Sequence, residues 1–207
     1  MNRRISILSL VTLGLTGLQT PPASAQSNTQ DVQIYAGYLF GDRLLETPLS
    51  GSTPRLDDSA TYGARYTYHF ADQFGVQLSA GYRPSRAAHV ASGADNLRLT
   101  TVDVDVQFDV LPNFQLAGHQ FIPYTVAGVG YAWANVDTMN GLIGAKPTSI
   151  SGSNSYTANV GIGAKYFLTN NLFVDVDSRY RYMNRLVSDF GRGLNTSETT
   201  VGVGYRF

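Results

Sequence analysis

The 207 residues include no cysteine, which excludes disulfides, thiolate metal sites and a lipid-modified cysteine at a cleavage point. Charge is scarce, at 14% of residues, and balanced, with 15 basic against 15 acidic side chains. A nucleic-acid partner would need a clustered basic face, and the sequence offers none. After the N-terminus there is no second apolar run of the roughly 20 residues that a membrane helix requires. If the mature chain resides in a membrane, strands must carry it there.

The first residues read as a secretory signal. Met1, Asn2, Arg3 and Arg4 give a positive start, Ile5 to Leu18 an apolar stretch, and Ala23-Ser24-Ala25 a small-residue cleavage site. The expected organisation is a cleaved signal peptide over 1–25 and one β domain over 26–207, exported from the cytoplasm.

Downstream the dominant signal is period two, in eight segments of about ten residues separated by turn chemistry. In DVQIYAGYLF, Val32, Ile34, Ala36, Tyr38 and Phe40 share one face. TTVDVDVQFDV sets Val102, Val104, Val106, Phe108 and Val110 against Asp103, Asp105, Gln107 and Asp109, a separation no helix could produce. LFVDVDSRYRY likewise opposes Leu172, Val174, Val176, Tyr180 and Tyr182 to Asp175, Asp177, Arg179 and Arg181. Connections alternate in length, short at 71–73 and 169–171, long at about 41–58, 84–97, 134–153 and 184–195. Residues 111–120 break the rule, and an extended or slightly bulged turn is expected there. The fold class is all-β: an eight-stranded, antiparallel, up-and-down transmembrane β-barrel.

A soluble barrel with an inward apolar face shows the same period, so sidedness has to come from elsewhere. Aromatic residues sort to both strand ends, with Tyr38, Tyr62, Tyr82, Trp133, Tyr156 and Tyr182 near one rim and Phe70, Phe74, Phe108, Tyr166, Tyr205 and Phe207 near the other. Two girdles around an aliphatic band are the pattern of a sheet facing lipid. The opposite face carries Arg65, Arg83, Lys165, Arg179, Arg181 and Arg206 with Asp103, Asp105, Asp109, Asp175, Asp177 and Glu198. An arginine or lysine turned to the bilayer midplane costs about 2–4 kcal/mol. These twelve charges therefore belong inside, where Gly128, Gly130, Gly161, Gly163, Gly202 and Gly204 leave them room.

Strand order sets the expected ion pairs. Arg206 should neighbour Asp175, Lys165 should lie near Asp175 or Asp177, and Glu198 should approach Arg179 or Arg181. His69, inside a strand and facing the lumen, is expected to join this network. No histidine has a serine two residues on, so no catalytic residue is assigned, and no metal ligand or cofactor is expected. Eight strands leave an interior just wide enough for side chains to fill, which predicts a plugged lumen.

VGVGYRF at 201–207 and PYTVAGVGYAW at 123–133 resemble the small eight-stranded outer-membrane barrels of Gram-negative bacteria, the group of outer membrane protein A, outer membrane protein X and the opacity antigens. The resemblance implies a place in the cell outer membrane. It also implies that the aromatic final strand, through Tyr205 and Phe207, is read by the barrel-assembly machinery, with periplasmic chaperones and lipopolysaccharide as further partners. The function expected is structural and surface-interacting, with four outer loops meeting host or phage ligands and the barrel acting as a monomer. The alternative is a narrow channel for small or apolar solutes.

Overall fold

The structure is a computed structural model describing residues 28–40, 55, 56, 58–88, 96–136, 139–143, 146–150, 153–184 and 194–207. The expected signal segment lies outside the described residues, as do 41–54 and 185–193 of the two long connections expected at 41–58 and 184–195. Eight strands form the body: β1 (Thr29–Phe40), β2 (Ser59–His69), β3 (Phe74–Ala88), β4 (Asn96–Asp109), β5 (His119–Val136), β6 (Ser153–Phe167), β7 (Leu172–Met183) and β8 (Leu194–Arg206). Each pairs antiparallel with its sequence neighbours, and β8 pairs with β1, so the sheet closes on itself. Closure continues to the last residue: Phe207 N donates to Gln30 O at 2.8 Å, and Gln30 N donates back at 3.3 Å.

The register fixes the barrel's shape. Following Cα partners from Gln30 leads through Tyr68, Val76, Val106, Ala127, Val160, Tyr180 and Ser197. The circuit lands on Phe40, ten residues farther along β1. A stagger of this kind tilts the strands, and tilt with strand number sets the diameter. Closing the ladder also removes the open sheet edge, whose unpaired backbone groups hydrocarbon would penalise by several kcal/mol each.

Alternation is strict. On β2, Tyr62, Ala64, Tyr66 and Tyr68 face out, while Thr61, Arg65, Thr67 and His69 are buried. β7 alternates the same way from Phe173 to Met183. A one-residue slip would put Asp175, Asp177, Arg179 and Arg181 outside, so the charges themselves lock the register.

One end of the barrel carries short connections. Residues 70–73 close β2 onto β3, with Phe70 N bonded to Phe74 O at 3.1 Å. Residues 168–171 close β6 onto β7, and Thr169 Oγ1 accepts from the amides of Asn171 (3.3 Å) and Leu172 (3.0 Å). The third connection at this turn end, expected as an extended or slightly bulged turn over 111–120, is more regular than that. It is a miniature hairpin, Gln115–Leu116 on His119–Gln120. Ala117 (φ 52°) and Gly118 (φ 82°) close it with two positive φ angles, as a type I′ turn requires.

At the loop end the strands run past the expected boundaries. β3 reaches Ala88 and β4 starts at Asn96, in the region expected as a long loop. Arg55–Leu56 pairs with Ala87 and Ala88, and Met139–Ile143 pairs with Lys146–Ile150 between β5 and β6.

Candidate functional site: the charged lumen

The interior is filled in tiers. At the turn end, Ile122, Phe167 and Phe173 form a buried apolar cluster. Just above it stands Asp31, the first buried residue of β1. Arg206, its partner across the β8–β1 seam, donates to it from Nε (2.6 Å) and Nη2 (2.8 Å). Lys165 donates from Nζ at 2.8 Å, and His69 Nε2 lies 3.0 Å away. The other ring nitrogen of His69 is 3.6 Å from Asp109, whose carboxylate accepts a hydrogen bond from Gln107 at 2.6 Å. The Arg206 guanidinium covers the Phe167 ring at 4.7 Å.

The middle tier is built on two carboxylates of one strand face. Arg65 spans both, reaching Asp175 at 3.3 Å and Asp177 at 3.0 Å, and its guanidinium lies 4.2 Å from the centre of the Tyr35 ring. Arg179 spans Asp177 and Asp105, each at 2.7 Å, and donates to Gln77. Tyr124 Oη lies 2.8 Å from Asp175 and 3.0 Å from Asp177. Gln33 donates to Asp175 and Asn159 to Asp105, at 2.9 and 2.8 Å.

Toward the loop end, Arg181 pairs with Asp103, which also accepts from Thr157 at 3.0 Å. Arg83 pairs with Glu198, which accepts from Thr61 at 2.9 Å. Beyond these, Leu39, Leu99, Ala132 and Met183 are buried. Charge is thus stacked between two apolar tiers.

All twelve side chains assigned to the lumen point inward; the expected neighbour of Arg206 is corrected, while Lys165 and Glu198 do lie beside Asp175 and Arg179 in the ladder but take other ion-pair partners. Arg206 bonds to Asp31, not Asp175; Lys165 also bonds to Asp31, and not to Asp175 or Asp177; Glu198 takes Arg83, and not Arg179 or Arg181. Lys165 and Asp175 are Cα partners, as are Arg179 and Glu198. Except at the seam, where Arg206 and Asp31 are themselves Cα partners, neighbouring backbones do not decide the pairing, because long side chains in a narrow barrel point at the axis and meet across it.

The assigned set omits Asp31, although this carboxylate collects three basic groups. The signal is available in the alternation, since Val32 outward forces Asp31 inward. Glycine also matters where walls approach closely. A Cβ on Gly128 would stand 2.1 Å from Asp105 Oδ1, and one on Gly204 would stand 2.2 Å from the Phe173 ring.

Outside, the aromatic rims are in mutual contact. Tyr131 meets Trp133 and Tyr156 at the loop end, with centroids 4.9 and 5.3 Å apart. Phe74 meets Phe108 at 5.1 Å at the turn end, where Tyr205 meets Phe207 at the same distance. Between them lie Ile34, Leu78, Val104, Val129, Ile162 and Val176, all exposed.

No curated protein matches the chain significantly. Among solved structures, Neisserial surface protein A is 18% identical, with a TM-score of 0.57 over 86% of this chain and 97% of that one. The outer membrane protein OprG from Pseudomonas aeruginosa is also 18% identical, with a TM-score of 0.56 over 87% and 97%. At such identity the likeness is one of fold. The family model described as the outer membrane protein beta-barrel domain matches residues 10–207. The chain belongs to that family of outer-membrane β-barrels.

Proposed function

We propose that this barrel is a closed membrane body whose role is structural and surface-interacting. The observation that carries the reading is the bonding of the lumen. Asp31, Asp105, Asp175 and Asp177 are each held by at least two side chains from other strands, so that the described residues leave no file of free carboxylates along the axis. The turn end faces the periplasm and the long connections face outward, meeting lipopolysaccharide and host or phage surfaces. The final strand with Tyr205 and Phe207 is the segment handed from periplasmic chaperones to the barrel-assembly machinery. The barrel works as a monomer after removal of residues 1–25, and it has no catalytic role: both nitrogens of His69 face carboxylates, so the ring has no hydroxyl to activate.

A channel is the second reading, favoured by one observation. Near the loop end Ser59 Oγ, Arg83 Nε, Arg181 Nε and Thr196 Oγ1 are buried without a hydrogen-bond partner. Buried polar atoms of this kind call for water, and on this reading a wet vestibule stands above the ion pairs. Planar-bilayer recording separates the two readings. Purified protein is expected to leave the bilayer silent, whereas steady unitary openings would establish a conduit and defeat the closed body.

A further inference from the structure

The connection between β4 and β5 is the one short-turn position occupied by a hairpin, and its two faces differ in chemistry. Gln115 pairs with Gln120, and Leu116 with His119. In an antiparallel ladder such partners share a face, and alternation then puts Phe114, Leu116, His119 and Phe121 together, opposite Gln115 and Gln120.

The first face is continuous with the barrel's outward surface. Phe121 and Tyr166 are Cα partners on the lipid side of β5 and β6. Phe114 meets the Phe121 ring edge-on at 6.2 Å, and His119 lies against Tyr166 at 5.4 Å. Leu111, Phe114 and Leu116 are 50, 44 and 48% exposed, which is the exposure of lipid-facing Leu78 and Val203. The second face turns to the barrel mouth: Gln120 donates to Pro112 O at 2.8 Å, and Pro112, Asn113 and Gln120 line a cleft with His69, Asp109 and Arg206. Phe121 N to Phe114 O at 2.9 Å and Val110 N to Pro123 O at 2.8 Å hold the hairpin to the wall.

We infer that residues 111–121 form an amphipathic foot inserted in the membrane interface at the turn end, with Leu111, Phe114 and Leu116 among the upper acyl chains and Asn113 in water. The occupant of the apolar face is lipid, since that face extends the girdle, and His119, its polar member, is laid against the Tyr166 ring. Amphipathic elements of this type sink about 5–10 Å into the headgroup boundary.

The test uses single tryptophans in a Trp133→Phe background, reconstituted in phosphatidylcholine–phosphatidylglycerol nanodiscs, which leave both membrane faces open to solvent. Leu116→Trp should emit at short wavelength and be quenched several-fold more than Asn113→Trp by lipids brominated near the headgroup end of the chain. Asn113→Trp should respond to acrylamide instead. Heat-modifiable gel mobility verifies that both variants are folded. If Leu116→Trp emits as in water and acrylamide quenches both positions alike, the foot stands in the periplasm and the inference is overturned, whether its face is then bare or awaits a protein.

Discussion

The turn-end tier and the middle tier of the lumen are built from the same residue types but wired differently. At the turn end one carboxylate, Asp31, serves Arg206, Lys165 and His69. In the middle, Asp105, Asp175 and Asp177 share Arg65 and Arg179, with Tyr124, Gln33 and Asn159 adding further bonds. The first is a hub and the second a mesh. Removing any one group from a mesh leaves its neighbours partly satisfied. Removing the centre of a hub strands every group around it, and a buried charge without a partner is among the costliest defects a protein can carry.

Breaking the hub should therefore give the largest effect. Asp31→Asn is expected to lower stability by about 3–5 kcal/mol, the usual range when one member of a buried pair is lost. The urea midpoint of the barrel in vesicles, followed by Trp133 emission, measures it. The cation left worst off is Lys165, whose side chain is fully buried and keeps the neutral Gln107 Oε1 at 3.4 Å, whereas the Arg206 side chain is 11% exposed and can turn to the mouth. Adding Lys165→Met should thus recover more stability than adding Arg206→Met. Arg65→Met in the mesh should cost less than Asp31→Asn, because Arg179 stays on Asp177 while Gln33 and Tyr124 stay on Asp175. Equal losses would dissolve the distinction between the two tiers.

The mesh and the hub are not equally legible in the sequence. Period two gives the face of each residue, and TTVDVDVQFDV and LFVDVDSRYRY state it almost without ambiguity. That reading places the acids and bases inside but is silent on who meets whom. Partners depend on the ten-residue stagger, a property of the closed sheet that no single strand contains. Asp31 escapes for a related reason: it opens DVQIYAGYLF and alternation already turns it inward, but only closure puts Arg206 opposite it. The hairpin at 115–120 is hidden too, since Ala-Gly is a weak form of the Asn-Gly or Asp-Gly signal for its turn.

Packing offers a second way to sharpen the comparison. At the turn end the hub rests on a rigid floor, with Phe167 and Phe173 rings 5.3 Å apart and Gly204 beneath Phe173. Gly204→Ala puts a methyl into that ring and is expected to cost about 1–3 kcal/mol, as overpacking of a filled core does. The same urea midpoint reads it. Gly202→Ala, in the middle tier, meets the Gln33 amide at 2.6 Å and the Ile34 carbonyl at 2.9 Å, a shallower overlap than the 2.2 Å on the Phe173 ring. It should be the milder of the two, and a harsher result would mean that the mesh is as rigid as the floor.

The smallest expected effect lies in the mesh itself. Tyr124→Phe keeps the ring and removes only the hydroxyl that lies between Asp175 and Asp177. Both acids retain arginine contacts, and Asp175 retains Gln33, so the loss should be that of one ordinary hydrogen bond, about 0.5–1.5 kcal/mol. A greater loss would mean that the phenol proton holds the two carboxylates together at that distance. The tyrosine would then be the centre of a second hub. In that case Arg65→Met and Tyr124→Phe combined should cost far more than the sum of the two separately, a non-additivity that a double-mutant cycle on the unfolding midpoint resolves.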